Sequence, residues 1–451
     1  MKRRACLLLT LILVTPLVSL AEANFFPPPP SLAHVYIRDD GTIEPETAPI
    51  QREGSVYMMI DDLLNYTLEI QRDGVTVDGK GHILDGFGIG QGIVIANLTD
   101  ISVKNVTLRN FRVAAQVDSS ANCSFSGVTI VGNEVGIYLY ASSDNQVQNC
   151  NVTGNIGDGI ILHDGSNHNT IVDNLIAQNG NGGITFEAPN AAWNQTSCDY
   201  NDILRNDVPA NTAYGILFWG SSNCRLEANN VSRSKTGIQI DGFTCQNNIL
   251  AGNLIIGCPV YGLLLSGQIS KNTITANNIA WNGVGVENAR SENNRFYNNN
   301  FITNVRHVVN NYEDVADIPS NATLPSINYW CDNASRRGNY WTDYSGRDEN
   351  ADGIGDTPKV IDANNTDSYP LMKLYGVVPE YLIPSPTPTA SFSPSNSPDF
   401  TPSVHPSPTS ETSGTELPAV PVELALAISV IAIALCVAAI FVTRRRKTRV
   451  A

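Results

Sequence analysis

A Gly-apolar-x-apolar phrase returns through the middle of the chain about once every 23 residues, and it limits the possible folds more than any other feature. It reads Gly136-Ile-Tyr-Leu, Gly159-Ile-Ile-Leu, Gly183-Ile-Thr-Phe, Gly215-Ile-Leu-Phe, Gly237-Ile-Gln-Ile, Gly262-Leu-Leu-Leu and Gly285-Val-Glu. Successive glycines stand 23, 24, 32, 22, 25 and 23 residues apart, and Gly92-Ile-Val-Ile precedes Gly136 by 44. The long step holds an insertion around Trp193 to Tyr200. Spacing this regular indicates stacked units, each burying its apolar face against the next, rather than a closed globule.

Between the glycine phrases lies a second β-rich run, as in Asn169-Thr-Ile-Val-Asp-Asn-Leu-Ile and Asn272-Thr-Ile-Thr-Ala-Asn-Asn-Ile. Alternation of Ile, Val and Leu with polar residues is the period of a half-buried strand, and no run is long enough for a helix. Asn and Gly punctuate the runs, as suits turns that need left-handed backbone. The leucine-rich frame that shares this repeat length is missing. The expected fold is all-β: a right-handed parallel β-helix solenoid, followed by a C-terminal cap, a stalk and one C-terminal transmembrane helix. Asn155, Asn179, Asn206, Asn230, Asn253, Asn278 and Asn300 recur near one phase. Coils stacked about 4.8 Å apart would bring such amides together as a ladder, structural rather than ligand-binding.

The two ends read as targeting and anchoring segments. Lys2, Arg3 and Arg4, an apolar run to Leu20 and Ala21-Glu-Ala23 suit a signal peptide over 1–23. A lead-in would cover 24–54, the repeats 55–312 and the cap 313–375. A Pro/Ser/Thr-rich stalk would cover 376–420, too poor in large apolar residues to bury a core. An uncharged run from Leu424 to Val442 lies within an expected span over 421–443, long enough to cross a bilayer. The basic tail over 444–451 would stay cytoplasmic, which places the repeats outside the cell on a single-pass anchor. Sequons at Asn65, Asn97, Asn105, Asn122, Asn151, Asn194, Asn230, Asn321, Asn333 and Asn364 agree with a glycosylated exterior. Together these features look like an archaeal-type surface protein.

The formal net charge of −15 disfavours a nucleic-acid partner, which needs a basic stripe. Seven of the nine cysteines lie outside the two terminal apolar segments. Cys224 and Cys245 follow their repeat glycines by nine and eight residues, so they are disulfide candidates between neighbouring coils. Two stacked buried thiols are the alternative.

Two stretches carry a resemblance. The entry run Val75-Thr-Val-Asp78-Gly79-Lys80-Gly81-His82-Ile-Leu-Asp85-Gly86 resembles the first coil of CASH-domain β-helix proteins. Gly338-Asn-Tyr-Trp341-Thr-Asp343-Tyr344, with Asp348 to Pro358 and Asn365 to Leu371, resembles the end of NosD-like repeat proteins. The resemblance runs from about residue 70 to 375. It implies a right-handed β-helix and a range of roles, from copper-site assembly of nitrous oxide reductase to polysaccharide activity. Copper would want clustered Met, Cys or His. The four methionines, Met1, Met58, Met59 and Met372, form no such cluster in the sequence.

Candidate chemistry lies in three places. Asp348, Asn350, Asp352 and Asp356 alternate around Gly353 and Gly355, with Asp362 beyond, as in a calcium-binding loop. Structural calcium is thus the one cofactor expected, against a metal-free turn. His163, Asp164, Glu187 and Asp241 lie near repeat glycines and could approach one face as acid and base. Arg233-Ser-Lys235 is superficially like an element of pectin-cleaving enzymes, without its companions. Tyr138, Tyr140, Phe186, Trp193, Tyr214, Phe218, Trp219 and Trp281 offer aromatic surface for sugar rings or filling for the coils. Tyr329, Trp330, Tyr340, Trp341 and Tyr344 suit a plug for the end of the solenoid.

No complete catalytic constellation emerges. The expected function is therefore a membrane-anchored, non-enzymatic carbohydrate-binding or adhesive surface module, with envelope glycans as partners. The alternatives are a polysaccharide lyase, hydrolase or epimerase, and, behind them, a NosD-type copper accessory.

Overall fold

The computed structural model describes residues 32–187, 196–242, 245–311 and 326–383. The expected signal peptide, transmembrane span and basic tail, with nearly all of the stalk, lie outside them. Among the described residues no helix is long and apolar enough to cross a membrane, and the one helical element is a 3-10 turn, Glu380–Leu382.

The chain winds as an all-β, right-handed parallel solenoid of about 11 turns. Each turn gives one strand to each of three sheets, of 13, 12 and 12 strands. The glycine phrases supply the first sheet, through Val135–Tyr140, Ile160–His163, Gly182–Phe186, Tyr214–Trp219 and Thr236–Gly242. The short runs supply the others, for example Gln146–Gln148 in the second and Asn151–Thr153 in the third. The first sheet starts at Ala33–Ile37, which pairs parallel with Tyr66–Ile70, so the solenoid begins inside the segment expected to be a lead-in. Antiparallel strands Ile43–Glu44 and Ile50–Glu53 cover the opening edges of the first two sheets.

Stacking in register accounts for the sequence period. Ile137, Ile160, Ile184, Ile216 and Ile238 are Cα partners from coil to coil and all are fully buried. A Cβ on Gly136 would lie 2.2 Å from Gly159 O, one on Gly183 2.6 Å from Gly215 O, and one on Gly237 2.5 Å from Gly262 O. The next coil's carbonyl occupies the space where a side chain would go, so the phrase must open on glycine.

Buried asparagines stack in three ladders, one at each corner. Asn145, Asn169 and Asn201 precede strands of the second sheet, and each Oδ1 accepts the backbone N–H of the residue one coil earlier. A second ladder runs Asn174, Asn206, Asn229, Asn253, Asn277, Asn299 and Asn339. A third holds Asn133, Asn155, Asn179 and Asn211. The seven asparagines read as one phase therefore divide. Asn155 and Asn179 belong to the third ladder and Asn206 and Asn253 to the second, while Asn230, Asn278 and Asn300 stand one residue beyond it.

At the far end Trp330 stacks on Phe296 at 4.3 Å and Trp341 on Phe301 at 4.1 Å. Both tryptophans are buried, Tyr340 and Tyr344 are partly covered and Tyr329 is exposed. The chain then runs back over the third sheet, where Asn300 exchanges two hydrogen bonds with the backbone of Tyr375.

Candidate functional site on the first sheet

The outer surface of the first sheet repeats its geometry coil after coil, so a row of side chains follows from the register. Asp118, Tyr140 and His163 are successive Cα partners. Glu187 follows Phe186 at the end of the next strand, and one coil further Trp219 pairs with Asp241. Beside this row runs another with Gln116, Tyr138, Ile161, Thr185, Leu217 and Gln239.

His163 is the centre of a hydrogen-bonded trio. Its Nδ1 lies 2.5 Å from Tyr138 Oη and 3.0 Å from Glu187 Oε2, and its ring meets Tyr140 edge-on at 5.5 Å. Both partners compete for one ring nitrogen. If Nδ1 carries the proton it donates to Glu187, and Nε2 is then a bare acceptor. With Nδ1 bare, the Tyr138 hydroxyl donates to it and Nε2 carries the proton. Which partner wins therefore sets whether the other ring nitrogen gives or takes a proton. Burial raises the Glu187 carboxyl, the His163 charge pulls it down and Asp158 raises it further. Burial, then Glu187 and Asp118, push the Tyr138 phenol above its ordinary range. Asp158 is held by Thr185 Oγ1 at 2.6 Å and the Gly182 N–H at 3.0 Å.

Of the four residues expected to do acid and base work, His163 and Glu187 meet and the others stand apart. Asp164 sits in a left-handed corner with φ 49°, accepting the Thr196 N–H at 3.0 Å and the Tyr140 hydroxyl. Asp241 lies two coils beyond Glu187, accepting from Gln239 Nε2 and the Gly242 N–H. Tyr138 as a direct partner of His163 was not anticipated. The repeat offers the signal, since Tyr138 stands two residues before Tyr140, the Cα partner of His163. The aromatic set divides as well. Phe186 and Phe218 stack in the core, Tyr138, Tyr140 and Tyr214 are partly covered, Trp219 and Trp281 are 45% exposed, and Trp193 lies outside the described residues.

The remaining candidates fall elsewhere. Cys224 and Cys245 are free buried thiols that do not share a row. Arg225 pairs with Ile249, which aligns Cys224 with Asn248, whereas Cys245 lies against the Ser221 backbone. In the acidic loop the side chains turn onto their own backbone. Asp348 accepts the N–H groups of Asp352 and Gly353, Asp352 that of Ile354, and Asp356 that of Glu349. Asn350 bonds Asp352, while Asp362 faces Asn310 and Asn365 outside this loop. Sequon residues Asn65, Asn97, Asn105, Asn122, Asn151, Asn333 and Asn364 are exposed. Asn230 is partly covered and donates to Asp207, and Asn194 and Asn321 lie outside the described residues.

A family model described as periplasmic copper-binding protein (NosD) matches residues 66–244 and 194–346, together more than half of the chain. The chain belongs to the NosD family. None of the curated proteins matches it. Among solved structures, the chain is similar to the A-module of Mannuronan C-5 epimerase AlgE4 of Azotobacter vinelandii, at 11% identity and TM-score 0.40 over 61% of this chain and 86% of that one. The A-module of AlgE6 from the same organism gives 13% identity and TM-score 0.37 over 55% and 77%. The tailspike protein of E. coli bacteriophage HK620 gives 12% and 0.43 over 63% and 56%. Likeness at this level concerns the solenoid alone.

The copper in the NosD description can be tested on the donors present. Cu(I) prefers thiolate and thioether ligands. Six of the seven cysteines among the described residues are buried in the core or its corners. Burial pushes Cys123 and Cys150 up to about 11 and Cys198, Cys245 and Cys258 up to about 12. Cys150 Sγ donates to the carbonyls of Phe125 and Gln148, and Met59 is buried in the core. Asp61, Asp62 and His82 are the one convergent His/Cys/Asp/Glu trio among the described residues, and they offer no sulfur. This donor set does not fit a Cu(I) site.

Proposed function

We propose that this NosD-family chain is a surface-displayed carbohydrate-binding module whose ligand lies along the outer face of the first sheet. The row Tyr140, His163, Glu187, Trp219 and Asp241 carries the reading. It sets polar groups and an exposed indole in line, one per coil, at a spacing of about 4.8 Å. A linear polymer lying parallel to the axis meets the same kind of surface at every step, and sugar faces stack on aromatic rings. The expected signal peptide and transmembrane segment would hold this face outside the cell, with the Pro/Ser/Thr-rich segment as its stalk. Trp330 and Trp341 would serve as the C-terminal cap.

The test is calorimetric titration of the full chain in detergent micelles with neutral, amino-bearing and acidic oligosaccharides. Binding of one class, lost in Trp219→Ala with the fold retained, supports the module. Wild-type protein that binds none of the three excludes it.

A second reading rests on the Tyr138–His163–Glu187 trio, which has the composition of an acid–base centre on a polysaccharide. Its mark would be shortened or chemically altered polymer, with Glu187→Gln and His163→Ala both inactive yet still binding. Intact ligand after prolonged incubation would leave the non-catalytic module.

A further inference from the structure

The charge on this face narrows the ligand. Across the six coils from Val113–Asp118 to Thr236–Gly242, the row of His163 holds Asp118, Glu187 and Asp241, while Asp158 stands five residues before His163, toward the entry edge of the sheet and in line with Gly182. The corner that follows His163's row adds Asp144, Asp164 and Asp199. Neither the row nor that corner holds a Lys or Arg in any of the six coils. Arg112 and Lys235 stand at the opposite edge of the sheet, six residues of extended chain away, or roughly 20 Å.

Neutral donors hold these carboxylates. Gln116 bonds Asp118, Thr185 bonds Asp158, the Thr196 N–H bonds Asp164, the Ser222 N–H bonds Asp199 and Gln239 bonds Asp241. Such bonds fix the oxygens in place and leave the negative charge uncompensated. Among the described residues, the one pairing in this set with a side chain that can carry positive charge is Glu187 with His163, an ion pair when the ring is protonated. Elsewhere in the molecule carboxylates do meet cations, as Asp85 meets Arg109 at 2.6 Å and Asp173 meets Arg205 at 2.8 Å.

A polyuronate would bring its own carboxylates against this row and be repelled. A polymer with regularly spaced ammonium groups would instead meet fixed acceptors along the axis, with the Trp219 indole between Glu187 and Asp241 as a platform for a sugar ring. We propose that the ligand of the first sheet is a linear glycan bearing free amino groups, a polyglucosamine-type chain. This rests on the reading of the face as a carbohydrate surface and adds the ligand's charge.

Titration of the full chain with a glucosamine hexamer and with its fully N-acetylated counterpart separates the two claims, because the backbone is shared and only the charge differs. At mildly acidic pH and low salt the amino form is expected to bind roughly tenfold more tightly, with the difference shrinking as salt rises. Glu187→Gln and Asp241→Asn should each weaken the amino form roughly threefold to tenfold, and the acetylated form by a smaller factor. Trp219→Ala should weaken both. Asp348→Asn, in the acidic loop away from the face, controls for general attraction to an acidic protein and should change nothing.

Equal affinity for the two hexamers, or an equal loss in Asp348→Asn and Asp241→Asn, would overturn the amino-glycan assignment while leaving a carbohydrate surface. Tighter binding of an oligouronate, with or without added calcium, would also overturn it. Failure of every oligosaccharide to bind would remove the proposed function itself.

Discussion

Trp341 donates its indole N–H to Asp367 Oδ2 at 2.9 Å, beneath the last complete coil. The same oxygen accepts the Asn339 N–H at 2.7 Å, so an aspartate ends the ladder that asparagines build through the coils above. Burial raises the Asp367 carboxyl from 3.8 to about 6, although hydrogen bonds from Trp341, Asn339 and Tyr369 pull it down. A folded value above the unfolded one means that folding favours the protonated form. That contribution is complete below about pH 3.8 and is lost as pH rises through about 6. The shift corresponds to about 3 kcal/mol between the two limits. In Asp78 and Asp85 burial is outweighed by Lys80, Asn105, Asn110 and Arg109, which hold the carboxyls low, so they lose their contribution only in more acid solution. Melting followed from pH 4.5 to 7.5 should show stability falling by several degrees, and Asp367→Asn should flatten the profile. An unchanged slope in the variant would mean that other groups titrate there.

The glycine strip gives a sharper test of the stacking. A Cβ at Gly183 would stand 2.6 Å from Gly215 O and 2.7 Å from Val208 Cγ1, both fixed by neighbouring coils. Gly183→Ala should therefore destabilise by about 1–3 kcal/mol through overpacking. Gly154 has φ 64° and open space around its Cβ position, so Gly154→Ala should cost only the left-handed strain, about 1–2 kcal/mol. Gly154→Asn should restore most of that, since Asn tolerates this conformation, whereas Gly183→Asn should be worse than Gly183→Ala. Chemical denaturation of the four variants provides the comparison.

The solenoid was legible because its cause is local and repeated. Glycine stands where the next coil's carbonyl leaves no room, and one buried Ile or Leu per strand marks the inside. The ladders were harder to assign. A corner needs one left-handed residue, and Asn149, Asp173, Arg205 and Ala228 all fill that position on successive coils. The residue that follows it takes the ladder position, Cys150 in the first of these coils and an asparagine in the others, but a sheet asparagine such as Asn230 or Asn278 stands just one residue further. Counting from glycines misplaced Cys245 for a related reason. Trp219 pairs with Asp241 and Arg225 with Ile249, so the later corner is two residues longer and the count slips.

The site was half legible. His163 and Glu187 were found by their distance from repeat glycines, the same register that joins them. Asp164 has a similar count but lies past the strand's end, where the corner turns its carboxylate onto the Thr196 N–H. Tyr138 required knowing which residue of each phrase faces outward beside the histidine, and that depends on strand pairing. The terminal tryptophans gave no such difficulty, since aromatic residues clustered after the last repeat have few places to bury except the end of the stack.

Loss of one ladder amide should be costly in proportion to its four bonds. Asn253 accepts from the N–H and Nδ2 of Asn229 and donates to Leu226 O and Asn277 Oδ1. It is fully buried, so Asn253→Ala leaves several groups without partners and a small cavity, at about 3 kcal/mol. Asn253→Asp retains the acceptor and the shape, but its carboxylate oxygen would face Leu226 O, and it should fare no better at neutral pH. Asn230→Ala, on the sheet surface beside the ladder, should cost less than half as much. Equal losses at 230 and 253 would show that the ladder bonds contribute nothing beyond ordinary packing.

The acidic loop should hold its shape through its own backbone. Asp348 Oδ1 accepts the Asp352 N–H at 3.1 Å and Oδ2 the Gly353 N–H at 2.9 Å, while Asp362 is engaged with Asn365 at 3.0 Å. A calcium ion would draw on carboxylate oxygens that these N–H groups already share, while Asp362 is engaged with Asn310 as well as Asn365. Asp348→Ala should cost about 1–2 kcal/mol, because two partly solvated bonds are lost. The same loss is expected in excess calcium and in chelator, and the wild-type melting temperature should match in the two buffers. A calcium-dependent rise of several degrees, abolished by Asp348→Ala, would instead mean that the loop rearranges around an ion and that its metal-free turns are the weaker state.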